Sequence, residues 1–358
     1  MRIKKALFLG TLCTAVSGMS LFAQAGVSYA KSAEKTTEAA SSEEAESEEE
    51  TSEEVTYPIT IEHAFGETVI ESKPERIATI GWENQDTPLA LGVAPVGVSA
   101  ANYGMVTDNN LHPWTDEAFA DLGVEKPVVF DDVDGLDFEQ ISDCNPDVIL
   151  AAYSGMTQED YDTLSEIAPV IPYKEKAWNT SWREQTIENA EGMGMKPEGE
   201  KKVKEVEDLI AEKLEEYPQL EGIPTAFCWI SADDFSTFYV YLPTDPRAAY
   251  LLDLGFTLPE SVQKLAGETD DFNITVSREN ADQLDDIQLM VVYGDGDLLK
   301  SLQEDKLMSQ IPAIKNGAVA LVDSTSALAG ACTPSILSIP YEIDEYLQLL
   351  SDAAENIK

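Results

Sequence analysis

The chain has 358 residues, and its 67 acidic against 23 basic side chains give a formal net charge of −44. A surface of that sign excludes nucleic acid and anionic membrane as partners, since both reward positive charge. Four cysteines and two histidines, all scattered, exclude a disulfide framework and a dedicated zinc or manganese cluster.

The chain opens with basic Met1-Arg2-Ile3-Lys4-Lys5 and an apolar run from Ala6 to Ala23, the layout of a secretory signal peptide over residues 1–30. Ala23-Gln24-Ala25 and Ser28-Tyr29-Ala30 both offer small-x-small cleavage sites. Cys13 is a poor lipid-attachment site because bulky Leu12 precedes it. Residues 31–56 are mostly Ser, Glu, Ala and Thr, too polar to offset ordering entropy, and read as an acidic linker. The protein is thus expected to be exported and tethered at the membrane or wall.

From residue 57 the pattern alternates. Ile77–Ile80 reads as a buried strand, Thr87–Leu91 as a helix, and the segment up to Ser99 as a turn and second strand. Phe138–Asp143 and Tyr161–Ile167 read as helices, with buried strands at Asp147–Ala152 and Pro169–Pro172. This predicts an α/β lobe over 57–195 built on a parallel sheet. Pro197 then opens a charged stretch in which Val203, Val206, Ile210, Leu214 and Tyr217 recur at helical spacing until Pro218, so 196–218 is one amphipathic helix. A second lobe over 219–358 follows, with strands Ala226–Ile230, Phe238–Leu242 and Gln288–Val292 and helices Arg247–Asp253 and Ile343–Ser351. Asp137-Phe138-Glu139 and Ser277-Arg278-Glu279 echo one another: each sets a capping residue two positions before a Glu, ahead of an Asp and an apolar strand.

Several segments, in order, carry a family likeness: Gly81-Trp82-Glu83-Asn84-Gln85-Asp86, Tyr153-Ser154-Gly155-Met156-Thr157, Ser181-Trp182-Arg183-Glu184, Thr244-Asp245-Pro246-Arg247 and Ile311-Pro312-Ala313-Ile314. With them the chain resembles the iron–siderophore binding proteins of ABC importers. The resemblance implies a helical-backbone periplasmic-binding-protein fold, two Rossmann-like α/β lobes joined by one long rigid α-helix. It implies capture of a ferric siderophore between the lobes and delivery to the permease subunits of an ABC importer, by a monomer with no catalytic residue. No cofactor or protein-bound metal is implied, because the siderophore itself holds the iron. By motif, the glutamates that dock on the permease map to Glu139 and Glu279.

A siderophore cleft needs apolar and aromatic walls with few placed charges. Trp82, Tyr103, Tyr153, Trp178, Trp182, Tyr239, Tyr241 and Tyr293 are candidates by their positions near strand ends, and Trp82, Tyr153, Trp182 and Tyr241 are selected. After Lys31 the arginines are Arg76, Arg183, Arg247 and Arg278. Arg183 and Arg247, on either side of the long helix, are expected to hold ligand oxygens through their guanidinium forks. His63 and His112 have no evident partner and read as surface or turn residues. Cobalamin and haem are alternative ligands for the same fold. An exported hydrolase is disfavoured because Tyr153-Ser154-Gly155 lacks the flanking glycines of a nucleophile elbow. A wall-associated scaffold would explain the linker but not the paired glutamates.

Overall fold

The computed structural model describes residues 55–132 and 135–358. The expected signal peptide and nearly all of the expected linker lie outside the described residues. No helix among the described residues is long and apolar enough to cross a membrane.

A hairpin of β1 (Ile59–His63) and β2 (Gly66–Ile70) precedes the first lobe. The chain then runs through β3 (Ile77–Thr79), α1 (Asp86–Ala90), β4 (Gly97–Ser99), α2 (Pro113–Asp121), β5 (Val129–Phe130), α3 (Phe138–Asp143), β6 (Val148–Ala151), α4 (Gln158–Ser165) and β7 (Val170–Pro172). Five strands form a parallel sheet in the order β5-β4-β3-β6-β7. β3, β4, β6 and β7 are buried on both faces, which explains why β6 and β7 are unbroken apolar runs and why the polar Thr79 and Ser99 of β3 and β4 are also buried.

Two helices leave this lobe. α5 (Trp182–Gly192) starts with a capping box, in which Ser181 accepts from the Glu184 N–H while Glu184 accepts from Ser181. It packs against α1, β6 and β7. A left-handed Gly194 (φ 66°) then turns the chain into α6 (Lys196–Leu214). Val203, Val206 and Ile210 of α6 are buried in the core of the second lobe. The expected interlobe helix is therefore present, ending at Leu214 rather than Pro218, and a 3-10 turn follows at Pro218–Leu220.

The second lobe contains β8 (Thr225–Trp229), β9 (Thr237–Tyr241), α7 (Pro246–Asp253), α8 (Glu260–Ala266), β10 (Asn273–Ser277), β11 (Leu289–Tyr293), α9 (Gly296–Glu304), α10 (Pro312–Asn316), β12 (Val319–Val322), α11 (Ala327–Ala331) and α12 (Ser338–Ala354). Its sheet, ordered β10-β9-β8-β11-β12, is mixed: β8, β11 and β12 are parallel, whereas β9 and β10 run antiparallel to their neighbours. The link from β8 to β9 holds no helix, and so short a connection suits an antiparallel return rather than a crossover.

α6 is not the sole tie between the lobes. The start of α12 rests on the first lobe, where Leu337 packs on the Leu89, Val98, Leu111 and Phe119 cluster and Tyr341 Oη donates to Glu117 (3.3 Å). Met105 N–H also bonds to Ser326 O before α11.

Candidate functional site: an aromatic cleft between the lobes

The carboxyl ends of the parallel strands bring chain from both lobes to one place, the usual ligand position in such sheets. There a cavity of about 410 Å³ is walled by Trp82, Tyr103, Tyr153 and Trp178 from the first lobe. Trp229, Tyr241, Arg247, Phe272, Tyr293 and Thr333 face them from the second, with Asp245 beside Arg247. A further cavity of about 290 Å³ on the first-lobe side shares the Trp82 and Trp178 walls and adds Asp132 and Asp160.

The loop bearing Trp82 is pinned by a buried amide. Asn84 Nδ2 donates to Ile80 O and Tyr153 O, and its Oδ1 accepts from Tyr153 N–H and Asn189 Nδ2. Gln185 of α5 donates to Trp82 O (2.8 Å). Trp178 is edge-on to Tyr153, with centroids 5.2 Å apart. A Cβ at Gly155 would fall 2.4 Å from the Trp178 indole nitrogen, so only glycine allows this wall to close. Trp229 and Phe272 are roughly half exposed, at 42% and 47%, which leaves large apolar faces at the rim.

The cation of the cleft is fixed before any ligand arrives. Asp245 caps α7 by accepting Arg247 N–H, and it takes the guanidinium through Nε (2.8 Å) and Nη2 (2.7 Å). The guanidinium carbon lies 3.8 Å from the Tyr241 ring centroid. Hydrogen bonds and charge from Asp245 overcome burial and raise the Arg247 pKa further, so it stays cationic. Because its one charged neighbour among the lining residues is Asp245, the main cavity carries no net charge. Burial raises the Tyr153 and Tyr293 phenols, keeping both neutral.

Of the residues selected from sequence, the structure brings Trp82, Tyr153, Tyr241 and Arg247 together. It does not bring Trp182 or Arg183 to the cleft. Trp182 is buried in the second-lobe core and donates through Nε1 to Asp253 (3.0 Å). Arg183 lies over that indole and pairs with Asp253 (2.7 Å) and Glu207 (2.6 Å). Both fasten α5 to α6 and α7, and their apolar and ionic partners explain why they looked like ligand residues. Tyr103, Trp178 and Tyr293, considered but not selected, do line the cavity; Tyr239 instead stacks outside it on Trp229 (5.4 Å). Trp229, Phe272 and Thr333 went unnoticed, though Trp229 closes a buried strand as Trp82 and Tyr153 follow theirs.

The histidines also depart from expectation. Both are buried and partnered: His63 Nε2 bonds Thr68 Oγ1 (2.9 Å), and His112 Nδ1 lies 3.2 Å from Glu83 Oε1. No cluster of metal-ligating side chains occurs among the described residues.

Glu139 is exposed in the first turn of α3, whose cap Asp137 accepts Gln140 N–H. Glu279 is exposed in the 3-10 turn at Arg278–Gln283, capped by Ser277. The echo between lobes thus holds at the caps, while the second element is a tighter helix.

The family profile described as periplasmic binding protein matches residues 77–325. The chain belongs to this family. It is a substrate-binding protein, not an enzyme. Among solved structures it is similar to Streptococcus pneumoniae PiaA in complex with ferrichrome, at 48% identity and a TM-score of 0.80, covering 84% of this chain and 100% of that one. The petrobactin-binding protein YclQ of Bacillus subtilis is 24% identical over 305 residues, 81% of this chain and 88% of the relative. The probable siderophore-binding lipoprotein YfiY of the same organism is 25% identical over 237 residues, 65% of this chain and 67% of the relative.

Proposed function

We propose that this protein captures a ferric siderophore of the neutral trihydroxamate class in the interlobe cleft and hands it, outside the cytoplasm, to an ABC importer. The observation that carries this reading is the electroneutral aromatic cavity around one preorganised arginine. In a ferric trihydroxamate, such as the ferrichrome of the similar PiaA complex, three hydroxamate anions cancel the ferric charge. Such a ligand needs shape, apolar contact and a donor for its oxygens. A ferric triscatecholate brings three surplus negative charges to a cleft whose one lining guanidinium is already paired and whose annex adds Asp132 and Asp160. Each unbalanced short-range charge costs on the order of 1–4 kcal/mol, so the anion is disfavoured.

Glu139 and Glu279 are the proposed contacts with arginines of the permease, one from each lobe, as carboxylates that Arg reads through two parallel hydrogen bonds. The protein acts as a monomer in this reading. The similarity to a lipoprotein supports tethering outside the cytoplasm.

Intrinsic tryptophan fluorescence tests the ligand class, because Trp82, Trp178 and Trp229 line the cavity. Ferric trihydroxamate should quench it with a sub-micromolar midpoint. Tighter quenching by ferric triscatecholate, persisting at high salt, contradicts the assignment, and preferential binding of cobalamin or haem replaces it.

A further inference from the structure

A buried group of ionisable side chains lies where α1 and α2 meet the turn before α12. Asp86 of α1 is fully buried. Its Oδ1 accepts from Thr115 Oγ1 (2.8 Å), and its Oδ2 accepts from Trp114 Nε1 (2.9 Å) and from the Ser335 hydroxyl of the opposite lobe. Ser335 Oγ already accepts the Ser338 N–H (2.9 Å) and Leu337 N–H (3.3 Å) at the start of α12. Its lone pairs are occupied, so toward Asp86 it can only donate; the Trp114 indole is likewise a donor only.

These constraints fix where a proton can sit. Only Thr115 Oγ1 can reverse and accept, so a proton on Asp86 belongs on Oδ1. Oδ2 then becomes a neutral carbonyl oxygen, and its bonds to Trp114 and Ser335 lose the charge assistance that roughly doubles their strength. The interlobe bond is strong with ionised Asp86 and weak with protonated Asp86. Both ends connect to the cleft: Trp82 lies in the loop leading to Asp86, and Thr333 lies in the turn holding Ser335.

We propose that the Asp86–Ser335 hydrogen bond is a proton-sensitive latch between the lobes, tightening the ligand cleft when Asp86 is ionised and loosening it when Asp86 is protonated. Burial and the nearby Glu83 carboxyl raise Asp86 well above the ordinary carboxylate range, toward neutral pH. The other groups facing it are defined. Glu83, buried in a left-handed backbone conformation (φ 55°), is a second acceptor facing the Ser335 hydroxyl and the Trp82 indole and lies against His112 Nδ1, while His112 Nε2 bonds to Tyr103 O. With the Nε2 proton on that carbonyl, the Glu83–His112 contact holds one more proton between them. α5 presents uncharged Gln185 and Asn189 to this loop. α12 carries Glu342, raised to about 7 by burial and Glu345.

The latch can be read without ligand. In nitrogen-15 spectra of the ligand-free full chain, the Trp114 indole resonance should titrate near neutral pH, and Glu342→Gln should leave that titration in place. Asp86→Asn reproduces the protonated form, with the amide donating to Thr115, and should abolish it. A resonance that does not move, or that moves equally in Asp86→Asn, overturns the latch.

The effect on the cleft rests on the ligand reading above. From about pH 8 to about pH 5.5, affinity for ferric trihydroxamate should fall by fivefold or more, the lower end of ordinary site-to-site coupling. In Asp86→Asn and Ser335→Ala it should be weak and flat with pH. A wild-type affinity constant within about twofold, or a wild-type slope in Ser335→Ala, refutes the coupling. Complete absence of binding sinks the ligand reading instead, and the Trp114 titration then decides the latch alone.

Discussion

Replacing Arg247 tests how the cleft holds its ligand. The guanidinium uses Nε and Nη2 on Asp245 and lies 3.8 Å from the Tyr241 ring centroid. Nη1 makes no hydrogen bond to Asp245, so the guanidinium keeps a donor that Asp245 does not consume. In Arg247→Gln the charge-assisted ligand bond is lost, about 1.5–3 kcal/mol. At 1.4 kcal/mol per decade this weakens binding by about 10- to 150-fold. Arg247→Lys keeps the charge, yet an ammonium cannot span both Asp245 oxygens, stack on Tyr241 and donate outward at once. It should lose affinity nearly as far as Arg247→Gln. Tryptophan quenching by ferric trihydroxamate gives the affinity, and circular dichroism melts show that each variant is folded. Asp245, buried and deprived of its partner, should also lower the melting temperature of Arg247→Gln. Binding within about threefold of wild type in both folded variants would refute the role given to Arg247.

Reversing Glu139 or Glu279 to Lys should abolish uptake in an importer assay while leaving solution affinity unchanged; weaker binding with normal uptake would reverse the assignment. Arg183→Ala should lower the melting temperature by about 2–4 °C, the loss of a partly exposed ion-pair network, with ligand affinity intact. Loss of affinity in a protein of normal stability would return Arg183 to the cleft. Asp86, Glu188 and Glu342 are raised above the ordinary carboxylate range, Glu188 to about 8 and Glu342 to about 7, chiefly by burial. Above their unfolded values the folded chain holds these protons more tightly, so stability is greatest at mildly acidic pH and falls as pH rises through the neutral range. Calorimetry should give a higher melting temperature near pH 5.5 than near pH 8, the direction opposite to ligand affinity; equal or reversed temperatures would contradict the burial account.

Much of the fold was legible because buried parallel strands and amphipathic helices leave strong local patterns. Val148–Ala152 is a continuous apolar run, Ile77–Ile80 is broken only by Thr79, and Val203, Val206 and Ile210 recur at helical spacing. The antiparallel half of the second sheet was harder. β10 is an edge strand, and Asn273-Ile274-Thr275-Val276-Ser277 buries only Val276, so its register depends on β9 far away in sequence. The site was legible in part for a related reason. Aromatics following buried strands, such as Trp82 and Tyr153, face the cleft as the topology requires. Trp182 instead opens α5, and Asp253, its partner 71 residues away, places it in the core. His112 read as a surface residue because Glu83 meets it only through the packing of α2 on the α1 loop. Long-range pairing of polar groups leaves no periodic trace.

Native mass spectrometry of the protein mixed with equimolar ferric trihydroxamate, ferric triscatecholate, cobalamin and haem tests the central claim most directly. One ferric trihydroxamate should be retained per chain, with the iron-free compound failing to displace it. Retention of any of the other three in its place, or of none, would contradict the account.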